Sequence, residues 1–152
     1  MSIHYDAVNV QIPRIRRRIV SRWIRYIAGS FGQKIGDITY IFCDDEEILR
    51  INKLYLDHDY YTDIITFDYS EEDTIAGDLF VSLDTVRTNA DAYQVDCREE
   101  LLRVIIHGVL HLCGLKDKTP KEEKEMRKHE DQALVIYKQI NSSGGNTNEI
   151  QL

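Results

Sequence analysis

Along residues 13–29, PRIRRRIVSRWIRYIAG, apolar side chains return every fourth position at Ile15, Ile19, Trp23 and Ile27, with Val20 and Ile24 beside them. That period belongs to a helix with one buried stripe, and the arginines fall on the other face. Pro13 suits its first turn and Gly29 its stop. The period then changes to two. In DITYIFCD (37–44), Ile38, Tyr40 and Phe42 share one side, as in a half-buried strand. DEEILRINKLYL (45–56) returns to a helical pattern. Asp44 or Asp45 can cap it, and its leading acids favour the positive end of the helix dipole.

TDIITFDY (62–69) and AGDLFVSL (76–83) are rich in β-branched and aromatic residues and read as strands, joined by the polar SEEDT. SLDTVRTNADAYQV (82–95) follows as a helix capped at Ser82 or Asp84. CREELLRVIIHGVLHLCG (97–114) is apolar on most sides, which marks a buried helix, and Gly114 suits the residue just past its end. Thr119, Pro120 and Glu122 form a capping box at the start of a last helix over 119–140. The polar segment 141–152 is expected to be a disordered tail. Strands and helices are interspersed, without repeat or linker. The expected fold is therefore α+β: one domain over 1–140, with a small mixed sheet of about four strands packed with about five helices.

Composition narrows the setting. No apolar run approaches the roughly 20 residues that a bilayer crossing needs, and the start lacks the apolar core of a signal peptide. Cys43, Cys97 and Cys113 are odd in number and widely spaced, which fits a reducing cytoplasm better than a disulfide framework. A net charge of −7 argues against a general nucleic-acid binder, and no DNA or membrane partner is expected. The charge is uneven, however. Arg14, Arg16, Arg17, Arg18, Arg22 and Arg25 crowd one segment. Screening confines charge effects to roughly 8 Å, so a local basic surface can still attract phosphate. A solvated helix face accounts for these arginines equally well.

The chemistry concentrates in HGVLHLCGLKD (107–117). Two histidines four apart on a helix lie about 5–6 Å from each other on one face, close enough to share an ion. Gly114 can turn the chain back, and Asp117 then lies within reach. Two imidazoles, one carboxylate and an open position make a catalytic rather than a closed structural metal shell, at the end of a buried helix. A lone histidine on an apolar helix is more often a core residue with one hydrogen bond. Two at this spacing, on a helix with few other polar groups, favour the ion, since an unpaired buried imidazole is costly. Gly108 stands where a zinc protease carries its glutamate base, which weighs against peptide cleavage. Cys113 should point off the ligand face and act as a small apolar residue.

HGVLHLCGLKDK resembles the signature of the YbeY family of endoribonucleases, approximately H-G-x-L-H-L-x-G-Y-D-H. INKLYLDHDYYTDIITFDY, IAGDLFVS and EEKEMRKHED resemble further family segments in the same order, so the resemblance covers roughly residues 38 to 135. It implies a zinc-dependent single-strand endoribonuclease of ribosomal RNA maturation. The implied tasks are processing of the 16S rRNA 3′ end and ribosome quality control, with ribosomal RNA or particles as partners. His107, His111 and Asp117 are the implied ligands. Two positions depart from the pattern. Asp117 stands where the family has a third histidine. Leu56 stands where it usually has an arginine after the tyrosine equivalent to Tyr55. His58, Lys116 or Lys118 are candidates to supply the missing phosphate-facing charge, and Arg16, Arg17 and Arg18 to contact RNA. Two other classes stay open: a metallohydrolase for another ester or amide, and a non-catalytic ribosome-assembly factor with a structural metal. Nickel, manganese or iron could occupy the same ligand set.

Overall fold

Four of the five helices start at a side chain that caps them, and the first starts without one. The computed structural model describes residues 2–56 and 62–144. In chain order the elements are β1 (Ile3–Ala7), α1 (Arg17–Ser30), β2 (Lys34–Cys43), α2 (Asp45–Leu56), β3 (Ile64–Asp68), β4 (Thr74–Ser82), α3 (Leu83–Tyr93), α4 (Cys97–Leu112) and α5 (Pro120–Ser142). The four strands lie in the order β1-β2-β4-β3. β1 and β4 run parallel to β2, and β3 runs antiparallel to β4, so the sheet is mixed and the fold is α+β.

The alternation in the strands divides the molecule into two layers of core. Ile38, Tyr40 and Phe42 of β2 and Ile75, Leu79 and Val81 of β4 face a large cluster shared with α1, α4 and α5. Ile65, Phe67 and Phe80 face the other way, against Ile48 and Ile51 of α2. Burying each large apolar side chain contributes about 1.5–3 kcal/mol. Three hydrogen bonds register the helices on this frame. The buried Tyr40 hydroxyl donates to the Ile105 carbonyl at 2.8 Å, and the Trp23 indole N–H donates to the Ala133 carbonyl at 2.7 Å. Arg16 donates to the Asn141 amide oxygen at 2.7 Å. Gly108 lets α4 press onto the sheet: a Cβ there would meet Leu79 Cδ2 and, at 2.9 Å, Ile64 Cδ1. A side chain at that position would force the ends of Leu79 and Ile64 to repack.

The expected caps are largely present. Asp44 Oδ1 accepts the Glu47 N–H, Ser82 accepts the Thr85 N–H, and Thr119 and Glu122 make the reciprocal capping box. Four points differ from expectation. α1 begins at Arg17 rather than Pro13, because the Ile15 N–H closes a tight turn onto the Pro13 carbonyl at 2.9 Å. Gly29 lies inside the last turn of α1, and Gly32, at φ 73°, takes the left-handed position after it. The hydrophobic pattern does not single out β1, which pairs as an edge strand with Ile3 opposite Ile38. The helix expected to end at 140 runs to Ser142, and residues 145–152 of the expected tail lie outside the described residues. Among the described residues no helix is long and apolar enough to cross a membrane.

Candidate metal centre

The end of α4 builds the site. After Leu112 the chain makes two bonds that close the helix: Gly114 N–H to the His111 carbonyl at 2.9 Å and Leu115 N–H to the Leu110 carbonyl at 3.0 Å. This paired closure needs a left-handed residue, and Gly114 supplies it at φ 104°. The chain is thereby turned back over the last turn of α4. The Leu115 carbonyl reaches His111 Nδ1 at 2.9 Å. Asp117 then comes to rest between the two histidines, its Oδ2 lying 3.2 Å from Nε2 of His107 and 3.2 Å from Nε2 of His111.

The hydrogen bonds assign the imidazole tautomers. A carbonyl only accepts, so His111 carries its proton on Nδ1 and turns the Nε2 lone pair outward. His107 Nδ1 lies 2.6 Å from Oε2 of the buried Glu130, which likewise favours the Nδ1–H tautomer. Glu130 is itself held by the Arg103 guanidinium at 3.0 Å, and Arg103 also binds Asp131 at 2.8 Å. In these neutral tautomers two nitrogen lone pairs and one carboxylate oxygen converge on one point. The ligand atoms of His107, His111 and Asp117 all lie within 4.8 Å of one another. Ligands ~2.05 Å from a tetrahedral ion stand about 3.3 Å apart, close to the 3.2 Å found on both sides of Asp117. These three residues are positioned to bind a metal ion, and their chemistry fits one.

The surrounding charges have opposed effects. Burial pushes the His107 pKa down, but the Glu130 bond and the charges of Glu130, Asp63 and Asp117 outweigh it, so the pKa is raised. Asp63 is raised by burial, partly offset by the charge of His107 and by backbone N–H groups. Burial lifts the Cys113 thiol to about 11, so Cys113 stays neutral and apart from the ligand group, as its helical position implies.

The ligands open onto a cleft of about 630 Å³ between the end of α4 and the edge strand β3. Leu56, Asp63 and Thr66 line it, and Lys118 is the only lysine or arginine among the described residues that do so. Lys116 is exposed and is not among those lining residues. His58, Tyr60 and Tyr61 lie outside the described residues. Arg16, Arg17 and Arg18 stand at the start of α1, away from the cleft. Sequence reasoning missed Glu130 and Arg103. The available signal for Glu130 was an acid in the middle of the apolar stripe Met126, Ala133, Leu134 and Tyr137 of α5.

The family model described as endoribonuclease YbeY matches residues 3–138 of this chain. The chain belongs to the YbeY family. Endoribonuclease YbeY of Parabacteroides distasonis is 57% identical over 136 residues, covering 90% of this chain and 96% of that protein. The Porphyromonas gingivalis member is 57% identical over 137 residues, covering 90% and 91%. That of Bacteroides thetaiotaomicron is 52% identical over 136 residues, covering 90% and 99%. The solution structure of TM1509 from Thermotoga maritima superposes with a TM-score of 0.64 at 22% identity, covering 99% of this chain and all of that one. At that identity the likeness is one of fold.

Proposed function

We propose that this YbeY-family chain is a zinc-dependent endoribonuclease that cuts single-stranded regions of ribosomal RNA. On this reading it acts in the cytoplasm, on ribosomal RNA or ribosomal particles, in maturation of the 16S rRNA 3′ end and in ribosome quality control. The unit that carries the activity is the domain over residues 1–140. The supporting observation is the convergence of His107 Nε2, His111 Nε2 and Asp117 Oδ2 on an open cleft in a family of endoribonucleases.

His107, His111 and Asp117 would hold the ion. When bound, it supplies a Lewis acid that polarises a phosphoryl oxygen and acidifies water. The chain's own groups do the rest. Glu130 and the Leu115 carbonyl keep both Nδ1 positions protonated and both rings fixed, so neither has to reorganise when the ion enters. Lys118 brings positive charge to a cleft otherwise lined by Asp63, Asp68 and Asp117, where a phosphodiester would be repelled. Lys118 is therefore a stronger candidate than Lys116 for the charge absent at Leu56, while His58 keeps its place as a candidate. Arg16, Arg17 and Arg18 contribute phosphate contacts from α1.

Elemental analysis of the purified chain and of His111→Ala, with cleavage of a ribosomal RNA fragment measured on both, tests this reading. Bound zinc and cleavage in the parent, with both lost in the variant, are expected. Cleavage that survives loss of the metal would refute it. Circular dichroism of the chelated parent separates a catalytic ion, whose removal leaves the fold, from a structural one.

A further inference from the structure

The arginines of α1 are not arranged as a helix face needs them. The other four helices each place acids in the first turn: Asp45, Glu46 and Glu47, then Asp84, then Glu99 and Glu100, then Glu122 and Glu123. α1 has none there, its cap residue Arg16 makes no side-chain capping bond, and Arg17 and Arg18 fill the positive end of the helix. Like charge at that end is unfavourable by a few tenths of a kcal/mol to about 1 kcal/mol. Pairing does not relieve it. Arg50, Arg87 and Arg103 are held by carboxylates, whereas among the described residues neither Arg17 nor Arg18 is in an ion pair. In a chain of net charge −7, with 26 acids available, this leaves the basic surface at Arg17 and Arg18 without a carboxylate partner among the described residues.

That surface is concave. Arg17, Arg18 and Arg22 are shared by two cavities, of about 430 and 510 Å³. The second continues between α1 and the edge strand β1, where Ser21 and His4 line it. The groove is also remote from the metal ligands. Arg16 is tied to Asn141 and His107 to Glu130, eleven residues apart on α5, which is roughly 16 Å at 1.5 Å per residue. Across the sheet, β1 and β3 occupy opposite edges, three inter-strand steps or roughly 14 Å apart.

We infer that the groove between β1 and α1 is a second RNA contact, separate from the cleavage cleft, and that the substrate is a long or folded RNA able to reach both edges of the sheet. The inference rests on the endoribonuclease reading for its choice of polyanion. Guanidinium forks match phosphate oxygens in pairs, and two adjoining cavities that share three arginines suit a run of phosphates better than one small anion. A carboxylate-rich protein segment is the competing occupant.

Fluorescence anisotropy with the full chain tests it, using an RNA hairpin of ~40 nucleotides with a single-stranded tail and a single strand of ~6 nucleotides. The variant is Arg17→Gln/Arg18→Gln/Arg22→Gln, and all three side chains are exposed, so the fold should hold; thermal melting checks this. The parent should bind the hairpin more tightly than the short strand, and the variant should lose about tenfold on the hairpin, with a salt slope lower by about 2. An unchanged hairpin affinity and slope would overturn the inference. So would equal weakening on both RNAs, or preferential binding of polyglutamate to the parent over the hairpin. Repeating the titration with Asp117→Ala separates the two claims: loss of cleavage with hairpin binding intact leaves the groove standing, whatever reaction the cleft performs.

Discussion

The two edges of the sheet handle charge in opposite ways. At the β3 edge each imidazole is fixed by a second group: His107 by Glu130, itself held by Arg103, and His111 by the Leu115 carbonyl. At the β1 edge Arg17 and Arg18 are exposed and, among the described residues, in no ion pair. A small ion demands ligands within a few tenths of an ångström, and a secondary network is the means of holding them. A polymeric anion presents charge at a regular but variable spacing, which long solvated side chains can follow. The same chain thus uses rigidity at one edge and uncommitted charge at the other.

The sharpest way to break this comparison is to loosen the rigid edge without touching a ligand. Glu130→Gln keeps the shape of the side chain and removes the charge behind His107. Metal affinity, measured by calorimetric titration, should fall by about 10–100-fold, and cleavage with it. The pH dependence gives a readout that general damage would not. Protons compete with the ion for His107, whose pKa burial lowers but Glu130, Asp63 and Asp117 raise to a net elevation. Metal binding in the parent should therefore weaken as pH falls through that raised value. In Glu130→Gln the pKa drops, so the acid limb should move to lower pH even as the affinity at neutral pH declines. A limb that stays in place would show that Glu130 does not tune His107.

Much of the rigid edge was legible because its parts are local. The four-residue histidine spacing, the glycine that ends α4 and the acid three residues on are all contained in residues 107–117, and the structure brings these three side chains together. α4 and α5 announced themselves through their periods and the Thr119 capping box. What escaped notice depends on distant contacts. β1 is five residues long and only half-buried, and its place is set by pairing with β2 some 35 residues later. Glu130 meets His107 only because α5 packs back along α4, and Arg103 joins them across the same interface. Pro13 misled because a proline that suits a first helical turn equally suits the tight turn before one.

A smaller effect is expected from the cleft's cation. Lys118→Ala should reduce kcat on RNA by about tenfold, equivalent to ~1.4 kcal/mol, with metal content unchanged. Leu56→Arg, which places the family's usual residue on the cleft wall, should recover part of that loss when combined with it. If Lys118→Ala cleaves at the parent rate while Lys116→Ala does not, the assignment of the two lysines is reversed.

The least effect should come from Cys113, and that weakness is informative. A thiolate beside His111 would be a strong fourth ligand and would convert the open shell into a closed one. Burial lifts its pKa to about 11, and its sulfur is not part of the ligand group. At pH 8 it is therefore a neutral, half-buried side chain packed against the core. Cys113→Ser should leave metal affinity within about twofold and lower thermal stability only slightly, because one small buried group is exchanged for a more polar one of similar size. Cys97, which is exposed, should be alkylated well before Cys113 in the native chain. Loss of the ion in Cys113→Ser would mean that sulfur closes the shell, and the cleft would then lack the vacant position on which its reactivity depends.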